Sequence, residues 1–230
     1  MNTIGIIPAR GGSKGIKNKN IKELLGKPLI CYTIEEALLA QCFTSIVVTS
    51  DDPSILEIAK RYKGIDALHR PDQLATDTAT SNQVIEHVLA TRNFLNEVDQ
   101  LCLLQPTSPL RTHRDIESSF KLFKTHNPDL LLSAYKPRIE IQKAFVKNED
   151  GFLVGLLSAE APFSRRQDLP EVLLPNGAIY ICNVSNFKKN NCLPRSRIRY
   201  YEMSRDNSID IDTLDDFSEV ESILKQRSLQ

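Results

Sequence analysis

The chain is 230 residues long, 41% hydrophobic and 25% charged, the balance of a folded globular protein. Its 29 Lys and Arg offset 29 Asp and Glu to a formal net charge of +0. That argues against a general nucleic-acid binder, normally basic, and against a disordered chain, normally strongly charged. The zero sum conceals two opposed ends. Residues 1–27 hold six bases against Glu23 alone, and residues 206–221 hold seven acids and no base.

The length predicts a single domain, 1–230, large enough to bury roughly 70–75% of its unfolded surface without disulfides or a metal. No run approaches the roughly 18–20 apolar residues that a membrane span requires. The start, Met-Asn-Thr with a brief apolar run before Arg10, lacks the basic opening and the length of a secretory signal. Five scattered cysteines form no CxxC pair, and the four histidines show no metal spacing. Reduced thiols in the cytoplasm are the expectation.

In chain order, Ile4–Pro8 reads as a buried strand and Leu29–Ala40 as a helix. Ser45–Thr49 is β-branched and strand-like. A helix opens near Pro53 with Ile55, Leu56, Ile58 and Ala59 on one side, and a short strand runs to about His69. A helix over Ala79–Arg92 sets Val84, Val88 and Leu89 on one face. Then come a strand at Leu101–Leu104, a helix at about His113–Lys124 and a strand at Leu130–Ala134. Between Pro137 and Pro175 the rhythm breaks, with Pro162 and Pro170 inside and no helical period. A projecting arm, 137–175, is expected, because loops beyond about 12–15 residues seldom persist without a role. Strand patterns resume at Ala178–Cys182 and Ile198–Met203. The last helix runs from Thr213 to about Gln226, capped by Thr213 with Asp216 three residues on. The alternation predicts an α/β fold with a doubly wound, parallel sheet and helices on both faces.

Ligands of such sheets bind beyond the carboxyl ends of the strands. Directly after the first strand stands Ala9-Arg10-Gly11-Gly12-Ser13-Lys14-Gly15-Ile16-Lys17-Asn18-Lys19-Asn20. Its glycines allow close backbone approach to a polyanion, and Arg and Lys supply the charge. Its order is neither that of a Walker loop nor that of a dinucleotide fingerprint. A solvated basic turn is the plainer alternative. Ser208-Ile209-Asp210-Ile211-Asp212-Thr213 reads as a strand, with Ile209 and Ile211 inward and Asp210 and Asp212 emerging together. Such a pair suits Mg²⁺ that also takes phosphate oxygens and waters, although any half-buried strand alternates in this way. The Gln105-Pro106-Thr107-Ser108-Pro109-Leu110-Arg111 turn contributes Gln105 and Arg111 as polar extras, while the loop from Arg70 to Ser81 is rich in hydroxyls.

Taken together and in order, IIPARGGSKGIKNKNIK, RPDQLATDTATS, LLQPTSPLR, PNGAIY and DNSIDIDT resemble the acylneuraminate (sialic acid) cytidylyltransferases over essentially the whole chain. The resemblance implies a Rossmann-like fold of the nucleotide-diphospho-sugar transferase type with a small dimerisation arm. It also implies Mg²⁺-dependent transfer of CMP from CTP to the anomeric hydroxyl of a nine-carbon keto sugar acid, with release of pyrophosphate. By motif, Arg10, Lys14 and Lys19 would neutralise the triphosphate. Asn20, Arg70, Ala79 and Ser81 would help seat the cytidine. Gln105, Lys143, Arg166, Asn176 and Tyr180 would lie at the sugar, and Asp210 and Asp212 would hold the metal. A homodimer through the 137–175 arm is implied, with no nucleic-acid or membrane partner.

Two positions depart from the family pattern. Leu174 stands where some neuraminate-specific relatives carry arginine, and Leu193-Pro194 replaces an aromatic pair near the sugar's side chain. A less polar pocket suits a deoxygenated sugar such as legionaminate, so legionaminate and neuraminate stand level. Pseudaminate and 3-deoxy-octulosonate are the nearest rival sugars. A nucleotide-binding regulatory module without catalysis is the rival of another class.

Overall fold

Strand β1 (Thr3–Pro8) carries Ile4, Ile6 and Ile7 with no exposed surface and lies inside the sheet, flanked by a strand on each side. The computed structural model describes residues 1–92, 94, 97–137 and 141–229. From β1 the basic loop leads through a 3-10 turn, Lys19–Ile21, to a small hairpin of β2 (Glu23–Leu24) and β3 (Lys27–Pro28). Next come α1 (Leu29–Leu39), β4 (Ser45–Ser50), α2 (Pro53–Lys60) and β5 (Ile65–His69). They are followed by α3 (Ser81–Thr91), β6 (Gln100–Leu103), α4 (His113–His126) and β7 (Leu130–Tyr135). Local chemistry sets the helix starts. Asp52 caps α2 ahead of Pro53, and capping boxes open α3 (Thr80, Gln83) and α4 (Thr112, Asp115).

Beyond β7 the arm contributes a short antiparallel hairpin, β8 (Phe145–Lys147) and β9 (Leu153–Gly155). Residues 138–140 of the expected arm lie outside the described residues. Strand β10 (Leu174–Asn183), α5 (Val184–Asn190), β11 (Ile198–Glu202) and α6 (Leu214–Ser228) complete the chain. A third capping box, Thr213 with Asp216, opens α6 as the sequence predicts. The β2–β3 hairpin and α5 carry too few residues to show a period, and the sequence reading passes over them.

The seven-stranded sheet runs β11-β7-β10-β6-β1-β4-β5. Strand β1 pairs parallel with β4 on one side and β6 on the other. Only β10 runs antiparallel to its neighbours, β6 and β7, so the sheet is mainly rather than wholly parallel. The chain leaves β1 for β4 and β5 and then returns to β6 on the opposite side. The crevice between the carboxyl ends of β1 and β6 is therefore the topological switch point, where open α/β sheets bind ligands.

Large apolar clusters cover both sheet faces. A third cluster matters more for the site: Ile16, Leu24, Leu29, Leu110, Ile211, Phe217 and Val220 pack together. It joins the N-terminal basic loop to the C-terminal acidic segment by burying Ile16 against the residues around Ile211 and α6. Apolar burial thus brings opposite charges face to face.

One expectation fails. Residues 208–213 are not a strand: a 3-10 turn over Arg205–Ser208 passes through irregular backbone into α6. Ile211 is fully buried, but Ile209 is only partly so. The Ile211 N–H donates to the Thr107 carbonyl at 2.8 Å, which anchors the segment to the loop after β6. No sheet neighbour extends this far, so side-chain direction follows that anchor rather than a pleat.

Candidate active site

Three adjoining cavities open around the switch point. The first, of about 360 Å³, is lined by the basic loop (Arg10, Lys14, Gly15, Lys19, Asn20), by Arg70, Asp77, Ala79 and Ser81, and by Gln105 and Asp212. The loop is braced from within. Asn20, buried, donates from Nδ2 to the Arg10 carbonyl at 2.9 Å, and Asn18 turns the backbone through a left-handed φ of 54°. Gly15 lies so close to the acidic segment that a Cβ there would sit 2.1 Å from the Asp212 carbonyl oxygen. Only glycine permits that approach.

Lys19 spans the gap. Its Nζ donates to the Ile211 carbonyl and to Asp212 Oδ1, the latter at 3.0 Å. The two charged ends of the sequence therefore meet. In this state Lys19 is a tether between them, while Arg10 Nη1 and Lys14 Nζ both reach Asp77, at 2.8 and 3.0 Å. These exposed ion pairs are individually weak. Lys14 and Arg10 hold the Asp77 carboxyl below the usual carboxylate range.

Arg70 is the most telling cation. It is 4% exposed, its Nε has no partner, and its Nη2 reaches Asp51 only at 3.5 Å. Burial lowers its pKa despite Asp51. A buried guanidinium with spare donors on a cavity wall is a group awaiting an acceptor. Asp51 Oδ1 also accepts the Gly11 N–H at 3.2 Å, so one carboxylate orients both the basic loop and Arg70.

The second cavity, about 530 Å³, is lined by Gln105, Tyr135, Asn176, Gly177, Tyr180, Arg205, Asp206, Asp210, Asp216 and Glu219 among others. The third, about 310 Å³, shares Gln105 and Tyr180 with it and adds Leu193, Pro194 and Arg195. Gln105, at the end of β6, faces all three. Its placement explains the Asn176-Gly177 step. Gly177 has φ +75°, and a Cβ there would meet Gln105 Oε1 at 2.5 Å. Asn176 is a bracket: its Nδ2 donates to Ser208 Oγ (2.9 Å), and its Oδ1 accepts from Ser133 Oγ (2.5 Å) and the Ala178 N–H (3.2 Å). The amide is thus committed to the protein, although the residue lines the second cavity.

Asp210 and Asp212 do not emerge side by side. Asp212 lines the first cavity and Asp210 the second, because the backbone between them is irregular rather than pleated. Their charges still act on each other. Burial pushes the Asp210 carboxyl up, Asp212 and Asp216 add to that, and Thr107 and Lys19 oppose it. Tyr180 is also raised, by burial first and then by Asp210, so its hydroxyl keeps its proton as a donor.

Of the remaining sequence candidates, Ala79 and Ser81 line the first cavity. Lys143 and Arg166 sit on the arm, in 3-10 turns, and line none of the three cavities. Arg111, read as a polar extra, is a buried staple. Its guanidinium donates to the Gln105 and Ala178 carbonyls (3.2 and 2.8 Å) and to Thr33 Oγ1 (2.7 Å), with burial pushing its pKa down to about 10. Sequence reasoning missed Asp51 and Asp77. Both had a signal: Asp51 follows β4 at the same carboxyl edge as the basic loop, and Asp77 lies inside the hydroxyl-rich loop.

A family model described as cytidylyltransferase matches residues 4–173. The chain belongs to that family. It is 34% identical over 225 residues to an N-acylneuraminate cytidylyltransferase of Streptococcus agalactiae serotype V, an alignment that covers 96% of this chain and 52% of the relative. The chain spans about half the length of that relative and of the Escherichia coli O18:K1:H7 protein of the same name, which is 34% identical over 99% of this chain and 53% of its own length. A pseudaminic acid cytidylyltransferase of Campylobacter jejuni is 33% identical over 94% of this chain and 93% of its own. The fold is shared with a CMP:2-keto-3-deoxy-manno-octonic acid synthetase complexed with CTP, at a TM-score of 0.75 and 20% identity over 99% of this chain and 100% of that one. It is also shared with a 4-diphosphocytidyl-2C-methyl-D-erythritol synthase of Anaerococcus prevotii, at a TM-score of 0.66 and 12% identity over 97% and 98%.

Proposed function

We propose that the protein is a CMP-nonulosonic acid synthetase, which transfers CMP from CTP to the anomeric hydroxyl of a nine-carbon keto sugar acid and releases pyrophosphate. The observation that carries the reading is the first cavity. There the basic loop, the underused buried Arg70 and the carboxylate of Asp212 converge on a space that opens past Gln105 into two further cavities. Arg70 and the turn at Ala79–Ser81 suit a base and ribose, and Arg10 and Lys14 suit phosphates once they leave Asp77. In the reaction the anomeric hydroxyl gives up its proton to water, its oxygen bonds to the α-phosphorus as the bond to the bridging oxygen breaks, and pyrophosphate carries the displaced charge. Such transfers depend mainly on positioning and on cations around the phosphates.

Mg²⁺ fits the donor set in a limited way. Asp212 and Asp210 offer carboxylate oxygens on either side of the junction, and repulsion between them is part of what raises Asp210. Among the described residues no cluster of three or more His, Cys, Asp or Glu could hold a metal alone, so phosphate oxygens and waters would complete the shell, as Mg²⁺ prefers. Bound there, the ion would supply charge neutralisation at the α-phosphate.

The sugar is read from the third cavity. Leu193 and Pro194 make part of its wall apolar, which favours a deoxygenated nonulosonate such as legionaminate beside N-acetylneuraminate. Likeness along nearly its full length to the Campylobacter jejuni enzyme keeps pseudaminate as a second reading. The arm favours a homodimer. Phe152, Leu153, Leu156, Leu157 and Phe163 are all exposed on it, Phe163 by 81%, and a lone two-stranded hairpin is barely stable in water. A second copy would cover these side chains and could bring Lys143 and Arg166 towards the acidic second cavity. Free thiols at all five cysteines suit the cytoplasm.

The test is direct. The protein is incubated with CTP, Mg²⁺ and N-acetylneuraminate, legionaminate, pseudaminate or 3-deoxy-octulosonate, and pyrophosphate is followed. Release with one of the nine-carbon acids is expected. Binding of CTP without release for any acid would favour a regulatory module, and UTP or ATP in place of CTP tests the base.

A further inference from the structure

The first turn of α3 is a wall common to two cavities. Ser81 lines both the first and the third. Its neighbour Asn82 lines the third cavity as well, and Asn82 Oδ1 accepts the backbone N–H of Leu193 at 3.0 Å, across 111 residues of sequence. Leu193 opens the stretch Leu193-Pro194-Arg195 that forms the far wall of the third cavity. The same loop is held independently at its other end. Ser196 Oγ donates to Asp129 Oδ2 at 3.2 Å, and the Arg197 carbonyl accepts the Asp129 N–H at 3.1 Å. Leu193 also packs against the cluster beneath α3. The loop therefore has a fixed far end and a near end whose polar attachment is Asn82.

We propose that Asn82 is a positioning residue that conveys occupancy of the first cavity to the Leu193–Arg195 wall of the third. The inference rests on reading the first cavity as the nucleotide site. A ligand that contacts Ala79 and Ser81 restricts the turn that carries Asn82. The Asn82–Leu193 bond then restricts the loop, so the acceptor's wall is set once the nucleotide is in place. Such coupling needs only that the ligand prefer the ordered form of the turn. No side chain of the loop has to touch the nucleotide. Gln105, which also lines both cavities, follows β6 and, among the described residues, makes no hydrogen bond to this loop.

The test uses CTP as the probe and needs no acceptor. Calorimetry fixes a saturating CTP concentration for the unaltered protein, for Asn82→Ala and for Asn82→Asp. Amide hydrogen exchange at Leu193, Arg195 and Ser196 is then compared with and without CTP. In the unaltered protein, CTP is expected to slow exchange at these amides about fivefold or more, the lower range of coupling between sites. Asn82→Asp keeps an acceptor oxygen in place and should retain the response, whereas Asn82→Ala should lose it. Bound CTP with unchanged exchange in the unaltered protein overturns the inference and leaves the nucleotide reading intact. So does a full response in Asn82→Ala. No binding of CTP at all overturns both.

Discussion

The basic loop of residues 9–20 and the arm of residues 141–173 both leave the carboxyl side of a strand, and they are built in opposite ways. The loop turns its polar groups on the protein itself: Asn20 bonds the Arg10 carbonyl, Lys19 bonds the acidic segment, and Ile16 is buried. The arm turns apolar groups outward, with Phe152, Leu153 and Phe163 in solvent and a hairpin of two three-residue strands for a frame. The loop is organised for a small ligand within one chain. The arm's exposed apolar side chains are what the proposed homodimer would cover.

That contrast can be broken from either side. The largest effect is expected at Asp212→Ala, which removes the tether's anion and a metal oxygen together. Turnover should fall by about a thousandfold or more, with unchanged circular dichroism, and near-normal Mg²⁺-dependent activity would sink the metal role. Gly15→Ala should follow, because a Cβ cannot share space with the Asp212 carbonyl. A displacement of about 1 Å at a reacting site costs roughly a hundredfold, and the variant should keep the association state of the unaltered protein. Leu153→Asp with Phe163→Asp should do the reverse first, converting the proposed dimer to monomer by light scattering while CTP binding persists. A stable dimer in that double variant would remove the arm from the interface.

Two smaller effects sharpen the loop side. Folding raises the Asp210 pKa, so its charged form opposes the fold above the folded pKa, and protonation relieves that cost as pH falls. Asp210→Asn should therefore lose activity yet melt no lower than the unaltered protein near neutral pH. The two melting curves should converge in acid. A lower Tm at neutral pH would contradict the assignment of burial as the dominant cause. The smallest change is expected at Asp77→Asn, which frees Arg10 and Lys14 from two exposed ion pairs. Calorimetry should show CTP affinity changing by no more than about fivefold, the scale of such pairs.

Much of the fold was legible because its signals are local. Strands β1, β4, β5, β6 and β7 appear as short apolar runs, and Thr213 announces the last helix through a cap with Asp216 three residues on. The ligand loops could be found for a related reason: a mainly parallel sheet gathers its functional loops at one edge. Motif resemblance then pointed to Arg70, Ala79, Ser81 and Gln105, all of which line one cavity. Periodicity misled at Ser208–Thr213. Alternation of Ile and Asp mimics a strand, but the Thr107 carbonyl fixes Ile211 and sends Asp210 and Asp212 to different cavities.

By itself, the sequence determined most of the strands and helices and the charged loop, since those depend on neighbours a few positions apart, but not the course of Ser208–Thr213. It also held the two opposed charge clusters, and nothing within either cluster says where the other lies. Tertiary structure decided that they meet, through the burial of Ile16 with Ile211 and Phe217. It decided as well that β10 runs antiparallel, that Asp77 takes Arg10 and Lys14, and that Asn82 reaches Leu193. Each of these is a contact across 60 or more residues of chain. No local propensity encodes such contacts, and only the packing of the whole core selects them.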